Sequence, residues 1–125
     1  MSRFRSDRGA AAVEFALVVV PLILMLAGII DFGRVYNQQL ALSSAARDVA
    51  RAAAVHNTAG VTSAETALQT AVPGAVVTVS PTTSCTSGQT VTVTASYPLD
   101  SLTGLFDPLF SGKTLTGEGV MKCGG

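Results

Sequence analysis

Tryptophan is absent from this chain, histidine occurs once and cysteine twice. An active site needs several catalytic or metal-binding side chains that converge on one point, and these few residues do not provide such a set. His56 is the only base with which a serine could be paired, and the two cysteines lack metal-ligand spacing. We therefore predict that the protein is not an enzyme, and we expect no metal, no cofactor and no small-molecule substrate.

An excess of charge of either sign is also missing. Eight basic residues balance eight acidic ones, so the formal net charge is zero at pH 7. Proteins that bind nucleic acid usually carry a strongly basic face, because they must neutralise backbone phosphates. The composition therefore predicts no nucleic-acid partner.

Ionisable residues are completely lacking between Ala16 and Ile30. Counted from Ala10, the apolar stretch has the length that a helix needs to cross a bilayer core of roughly 30 Å. We predict a transmembrane helix over residues 10–30. Its one carboxylate is Glu14, and a charge costs on the order of 2.5–3.5 kcal/mol at a bilayer centre and less towards an edge. Such a carboxylate is expected to have a partner.

The charges that flank the span predict its orientation. Residues 1–9 are net positive, whereas Asp31 and Arg34 cancel after the span. The positive-inside rule then gives a single-pass protein of the cytoplasmic (inner) membrane, with its N-terminus in the cytoplasm and everything after Ile30 outside. The alternative, a secretory signal peptide, is disfavoured because the span is long and no clear small-x-small cleavage site follows it.

Helical patterning continues beyond the membrane to about Val55, with a kink expected at Pro21. We predict an extramembrane continuation of the helix over residues 31–57. Apolar residues that recur every seven positions form a stripe able to pack on a domain or another helix: Val35, Leu42 and Val49. A ridge of small residues would let another backbone approach closely: Ala46, Ala50 and Ala54.

After residue 57 the pattern changes, and we predict a small α+β head domain over residues 58–125. Thr62 and Glu65 have the spacing of a capping box, which predicts a short helix from about Ser63 to Val72. Three strands are predicted after that helix, and the second alternates most cleanly between apolar and polar residues: 75–80, 89–97 and 113–122.

The apolar face of the second strand needs a cover, and the striped part of the long helix is the only large apolar surface available for it. Between the second and third strands, residues 98–110 are too apolar for an idle loop. If these two strands pair antiparallel, Cys123 lies near Cys85. A disulfide outside the membrane would close a loop of nearly forty residues. In the chain-entropy model it would stabilise the head by about 4 kcal/mol.

The residues from Gly9 to Phe15 resemble the prepilin processing site of the type IV pilin superfamily. In that family a membrane-embedded aspartic peptidase cuts after a glycine on the cytoplasmic side, and the fifth residue of the mature chain is glutamate. The resemblance implies a cut between Gly9 and Ala10, loss of the cytoplasmic leader 1–9, and Glu14 as the fifth residue. The new amine, with a pKa of about 8, would be neutralised by Glu14 of a neighbouring subunit.

Residues further along are similar to the TadE-like family of pilin-like proteins in tight-adherence (Flp-type) pilus systems: Pro21, 28–34 and 42–53. The resemblance is close from Arg8 to Ala54. It implies a minor pilin-like (pseudopilin) subunit or assembly factor that is processed by a prepilin peptidase. Its partners would be the membrane, other pilin-like subunits and the pilus assembly machinery, at the cell surface if it enters the pilus. Phe15 stands where major Flp pilins carry tyrosine, which with the large outer domain argues against the major subunit.

The predicted fold is an α+β, pilin-like lollipop. A long N-terminal transmembrane helix carries a small C-terminal antiparallel β head with a short helix. The alternative is an uncleaved single-span membrane protein with an extracytoplasmic binding domain, which would keep residues 1–9.

Overall fold

The structure is a computed structural model that describes residues 6–81 and 85–124. Its elements are, in chain order, α1 Ser6–Ala54, α2 Thr58–Ala71, β1 Val76–Ser80, β2 Thr90–Pro98, the one-turn helix α3 Asp107–Phe110 and β3 Thr114–Lys122. A long N-terminal helix followed by a small antiparallel head confirms the predicted α+β class. The predicted leader 1–9 lies outside the described residues over positions 1–5.

The helix α1 contains 49 residues and is about 70 Å long at 1.5 Å per residue. Pro21 lies within it. Exposure divides the helix into two halves: from Gly9 to Leu26 every residue except the half-buried Val19 is exposed, and a buried stripe begins at Ala27. The buried members of the stripe recur at steps of three, four or seven residues, as on one side of a helix: Ala27, Asp31, Gln38, Leu42, Ala45, Ala46, Val49, Ala50 and Ala54.

The sheet has the order β1-β2-β3, and both neighbouring pairs are antiparallel. The central strand β2 buries one face completely, at Val91, Val93 and Ala95. These residues share one core cluster with Leu42, Ala46 and Val49 of α1. The second half of the long helix therefore covers the apolar face of the sheet, as its stripe predicts.

Strand β3 approaches the backbone of α1 unusually closely, and two glycines make this possible. A Cβ at Gly117 would lie 2.5 Å from the carbonyl carbon of Leu42, and a Cβ at Gly119 would collide with the carbonyl group of Ala46. Leu42 and Ala46 are one helical turn apart, and the two glycines lie on one face of the strand. The lack of a side chain at both glycines thus lets the strand lie directly against the helix backbone.

The second helix begins earlier than the sequence predicts. It starts at Thr58, because the Asn57 side-chain oxygen accepts a hydrogen bond from the Gly60 amide at 2.9 Å and caps the helix. Thr62 lies inside the helix, and its hydroxyl donates to the Thr58 carbonyl at 3.1 Å. The predicted capping box at Thr62 is wrong. The turn between the helices needs only three residues, because His56 adopts a positive φ of 57°.

Cys85 and Cys123 are joined by a disulfide, with their Cα atoms 5.8 Å apart. The bond lies where β2 begins and β3 ends, since Thr90 pairs with Lys122 in the antiparallel register. The Nε2 of His56 donates to the Cys85 carbonyl at 2.7 Å. The end of α1 is thereby hydrogen-bonded to the cross-linked edge of the head.

Candidate functional site along the long helix

The residues of the predicted processing site lie together on the first turns of α1. Gly9, Ala10, Glu14 and Phe15 are all exposed, and Phe15 is 69% exposed. A Cβ added to Gly9 would meet nothing within 4 Å. Glycine is about 1 kcal/mol worse than alanine in a helix interior, so local unwinding at Gly9 is inexpensive. The described part of the chain therefore leaves this segment open to a peptidase.

Ala10 and Glu14 lie one helical turn apart on the same side of α1. A cut before Ala10 would create an ammonium group on the side of the helix that carries the carboxylate. Both groups would lie at the N-terminal end of the exposed apolar half of α1. Unpaired charges are costly there once lipid or another subunit removes the water. The arrangement can therefore link subunits by charge pairing, and it contains no nucleophile-base pair.

The first half of α1 exposes far more apolar surface than a soluble monomer usually shows. Its large apolar side chains are between 46% and 72% exposed: Val13, Phe15, Leu17, Val18, Val20, Leu22, Ile23, Leu24, Met25, Leu26, Ile29 and Ile30. Among the described residues, one helix is long and apolar enough to cross a membrane, and it is this one. Only 6% of the apolar window of this helix is buried, so that part of α1 does not belong to the core of the head.

A second group of polar contacts lies where the uncovered half of α1 ends. Asp31 is only 2% exposed, and one of its carboxylate oxygens accepts from the hydroxyls of Thr103 at 2.6 Å and Ser101 at 2.9 Å. The other oxygen accepts from the amides of Leu102 at 3.2 Å and Thr103 at 3.3 Å. Four donors from one loop thus surround a single carboxylate on the helix.

These hydrogen bonds change the acidity of Asp31. The Thr103 hydroxyl contributes most to lowering the pKa of Asp31 below its ordinary value of 3.8. Burial opposes this by penalising the charged form, whereas the Ser101 hydroxyl and the two backbone amides lower the pKa further. Asp31 is therefore held as a carboxylate near neutral pH.

The loop that supplies these donors connects β2 to β3. We call residues 99–110 the return loop, because it runs back along α1 towards the uncovered half. The ring of Phe106 lies 3.6 Å from the position of a Cβ at Gly28. Its ring also belongs to a cluster with centroid distances of 5.8 to 6.4 Å, formed by Phe32, Phe106 and Phe110. The return loop is packed structure, as its apolar composition predicts.

The sequence prediction treats Asp31 only as a flanking charge, and the structure shows it to be the buried acceptor of the return loop. Its donors lie 70 to 72 residues away along the chain, so no local pattern connects the two. One sequence signal for this contact is available: Asp31 is an acidic residue directly after a long apolar run. Like Glu14, such a residue is expected to have a partner. Within residues 6–81 and 85–124, no group of three His, Cys, Asp or Glu residues could hold a metal ion.

The helix is bare and apolar in its first half and packs against a small α+β head in its second, which is the architecture that the sequence resemblance predicts. The model of the TadE-like protein family matches residues 9–51, which confirms the family resemblance seen in the sequence. The match begins at Gly9 and extends along the part of α1 that lies under the head. It implies a structural, pilin-like protein associated with a Tad pilus. No curated protein and no solved structure was found to match the chain.

Proposed function

We propose that this chain is a minor pilin-like (pseudopilin) subunit or assembly factor of a tight-adherence type IV pilus. The observation that carries the proposal is the uncovered end of α1, where the TadE-like match begins at Gly9 and Glu14 lies four residues after Ala10. An apolar helix that is not covered by its own chain needs lipid or neighbouring helices around it. A pilin-like subunit uses both, first the membrane and then the filament.

Residues 10–30 form the membrane-spanning part in this proposal, residues 31–57 continue the helix outside, and residues 58–125 form the head. The protein is single-pass in the cytoplasmic membrane, with its N-terminus in the cytoplasm. The net positive charge of residues 1–9 supports this orientation. The disulfide supports a head outside the cytoplasm, because disulfides persist in oxidising compartments.

A prepilin peptidase removes residues 1–9 by cutting between Gly9 and Ala10. Glycine has no Cβ, so the peptidase can bring its own backbone close to the scissile bond. The freed amine of Ala10 then pairs with Glu14 of an adjoining subunit, and Phe15 packs beside this pair. The exposure of all four residues supports access by both the peptidase and a neighbouring subunit.

The test is N-terminal sequencing and intact mass of the membrane-bound protein, isolated from cells that also produce the prepilin peptidase. We expect a start at Ala10 for the wild type and no cleavage for Gly9→Val, because the added side chain obstructs the scissile bond. Ala12→Val is the matched control, since it introduces the same β-branched side chain three residues away and should be cut normally.

Two results would overturn the proposal. A wild-type protein that keeps residues 1–9 despite an active peptidase is an uncleaved single-span protein with an outer binding domain. A new N-terminus beyond Ile30 identifies the apolar segment as a signal peptide.

A further inference from the structure

We propose that the return loop rests on the outer surface of the lipid bilayer, with three leucines in the headgroup region: Leu102, Leu105 and Leu109. The inference depends on the membrane span of the proposed function, and on neither cleavage nor pilus assembly. It gives the head a fixed contact with the membrane in addition to the helix that carries it.

The return loop lies beside the end of the proposed membrane span on α1. Phe106 packs against Gly28, and the donors of Ser101, Leu102 and Thr103 hold Asp31. Gly28 lies two residues inside the end of the proposed span at Ile30, a distance of about 3 Å along the helix. The loop therefore lies at the level where the helix leaves the hydrocarbon.

The return loop exposes three large apolar side chains at this level. Leu102 is 62% exposed, Leu105 53% and Leu109 55%, whereas Phe106 and Phe110 of the same loop pack against Phe32 of the helix. At the same level, Ile29 is 70% exposed and is itself proposed to face lipid. The three leucines thus expose apolar surface at the level of the bilayer boundary. Contact with the bilayer at this level would remove that surface from water.

The charges of the loop set its depth. Asp100 and Asp107 are exposed, and the Asp100 carboxylate accepts a hydrogen bond from the Tyr97 hydroxyl at 3.3 Å. Carboxylates are strongly disfavoured in hydrocarbon. The loop therefore lies among the headgroups, with its leucines pointing into the boundary and its carboxylates in water.

A second copy of the chain is the competing occupant of this surface. It would have to present its own apolar surface at this level, whereas the bilayer surrounds the base of every single-span protein. The hydrogen bonds to Asp31 also fix the loop on the helix within one chain, so contact with the bilayer requires no assembly.

The absence of tryptophan makes the proposal directly testable, because each introduced tryptophan is the only one in the chain. Leu105→Trp and Leu109→Trp place a probe at two exposed positions of the loop. Ile23→Trp reports on the span, and Val55→Trp, at an exposed position beyond the outer end of α1, reports on the region far from the membrane. Each variant is placed in vesicles of phosphatidylethanolamine and phosphatidylglycerol brominated either near the headgroups or near the chain ends.

We expect lipid bromine near the headgroups to quench Leu105→Trp and Leu109→Trp more than bromine near the chain ends does. Ile23→Trp should be quenched most by the deep bromine, and Val55→Trp by neither. Quenching of Ile23→Trp without quenching of the two loop probes would overturn this inference and leave the span intact. Absence of quenching at Ile23→Trp would contradict the span itself. Loop probes that are shielded only at high protein density, without lipid quenching, would show that a second copy covers the loop.

Discussion

Asp31 is the residue of α1 that accepts the hydrogen bonds of the return loop at the proposed membrane boundary. Its carboxylate accepts two hydroxyl and two amide hydrogen bonds, so replacement by asparagine would place an NH₂ donor where the loop also provides donors. We expect Asp31→Asn to lower the thermal unfolding midpoint at pH 7. Asp48→Asn, at an exposed position of the same helix, should leave it unchanged.

The dependence on pH follows from the direction of the shift. Because the pKa of Asp31 is lower in the folded state, its contribution to stability is present above its ordinary value of 3.8 and is lost as the pH falls through the lowered value. Between pH 7 and pH 2, the midpoint should therefore fall further for the wild type and Asp48→Asn than for Asp31→Asn. Equal falls in all three proteins would show that the return loop does not depend on the Asp31 charge.

The close contact between β3 of the head and the backbone of α1 rests on two glycines. Gly117→Ala would place a methyl group against the backbone of Leu42, which cannot move without shifting the helix. We expect a loss of about 1–3 kcal/mol in the free energy of unfolding, the usual cost of overpacking. Gly119→Ala should behave in the same way against Ala46.

The matched control for these changes is Gly33→Ala on α1. A Cβ at this helical glycine would meet nothing within 4 Å, so the same substitution should stabilise by about 1 kcal/mol through helix propensity. Chemical denaturation of the purified protein in detergent measures all three variants. An unchanged stability for Gly117→Ala would mean that the sheet does not lie as close to the helix as described.

The disulfide holds together the edge of the head at which β2 starts and β3 ends. Replacing both Cys85 and Cys123 by serine should lower the free energy of unfolding by about 4 kcal/mol, because a loop of this length no longer restricts the unfolded chain. Thermal unfolding of this double variant and of the reduced wild type should give similar losses. Two free thiols in the exported protein would contradict the pairing.

The strands could be predicted from sequence to within about one residue, because alternation of apolar and polar residues is a local signal. The start of α2 could not, since the pattern at Thr62 and Glu65 competes with a cap at Asn57 that depends on the turn at His56. The close approach of β3 to α1 at Gly117 and Gly119 could not be predicted either, although Ala46, against which Gly119 lies, belongs to the predicted ridge of small residues.

The molecule as a whole divides where α1 changes from fully exposed to buried on one side, at Ala27. The processing segment can be proposed from the sequence, because its residues are contiguous and lie in front of an apolar run. The contact between Asp31 and the return loop could not, because some seventy residues separate its two sides. Local sequence patterns thus support a proposal for the bare end of the helix, whereas only the fold shows how the head is held on the other half.

The pairing of Glu14 with the amine of Ala10 on an adjoining subunit is the central claim, and loss of the carboxylate tests it. Glu14→Ala and Glu14→Gln should still be cut, because recognition depends mainly on Gly9. Each would leave the amine unpaired in an apolar setting, at a cost of several kcal/mol. Val13→Ala shortens a neighbouring exposed side chain without changing charge and serves as the control.

The deciding measurement is crosslinking and co-purification of the processed protein with other pilus components from membranes. We predict that the wild type and Val13→Ala associate with them. Both Glu14 variants should be processed and remain in the membrane without associating. Normal association of Glu14→Ala would contradict the account, because the carboxylate would then have no role in assembly.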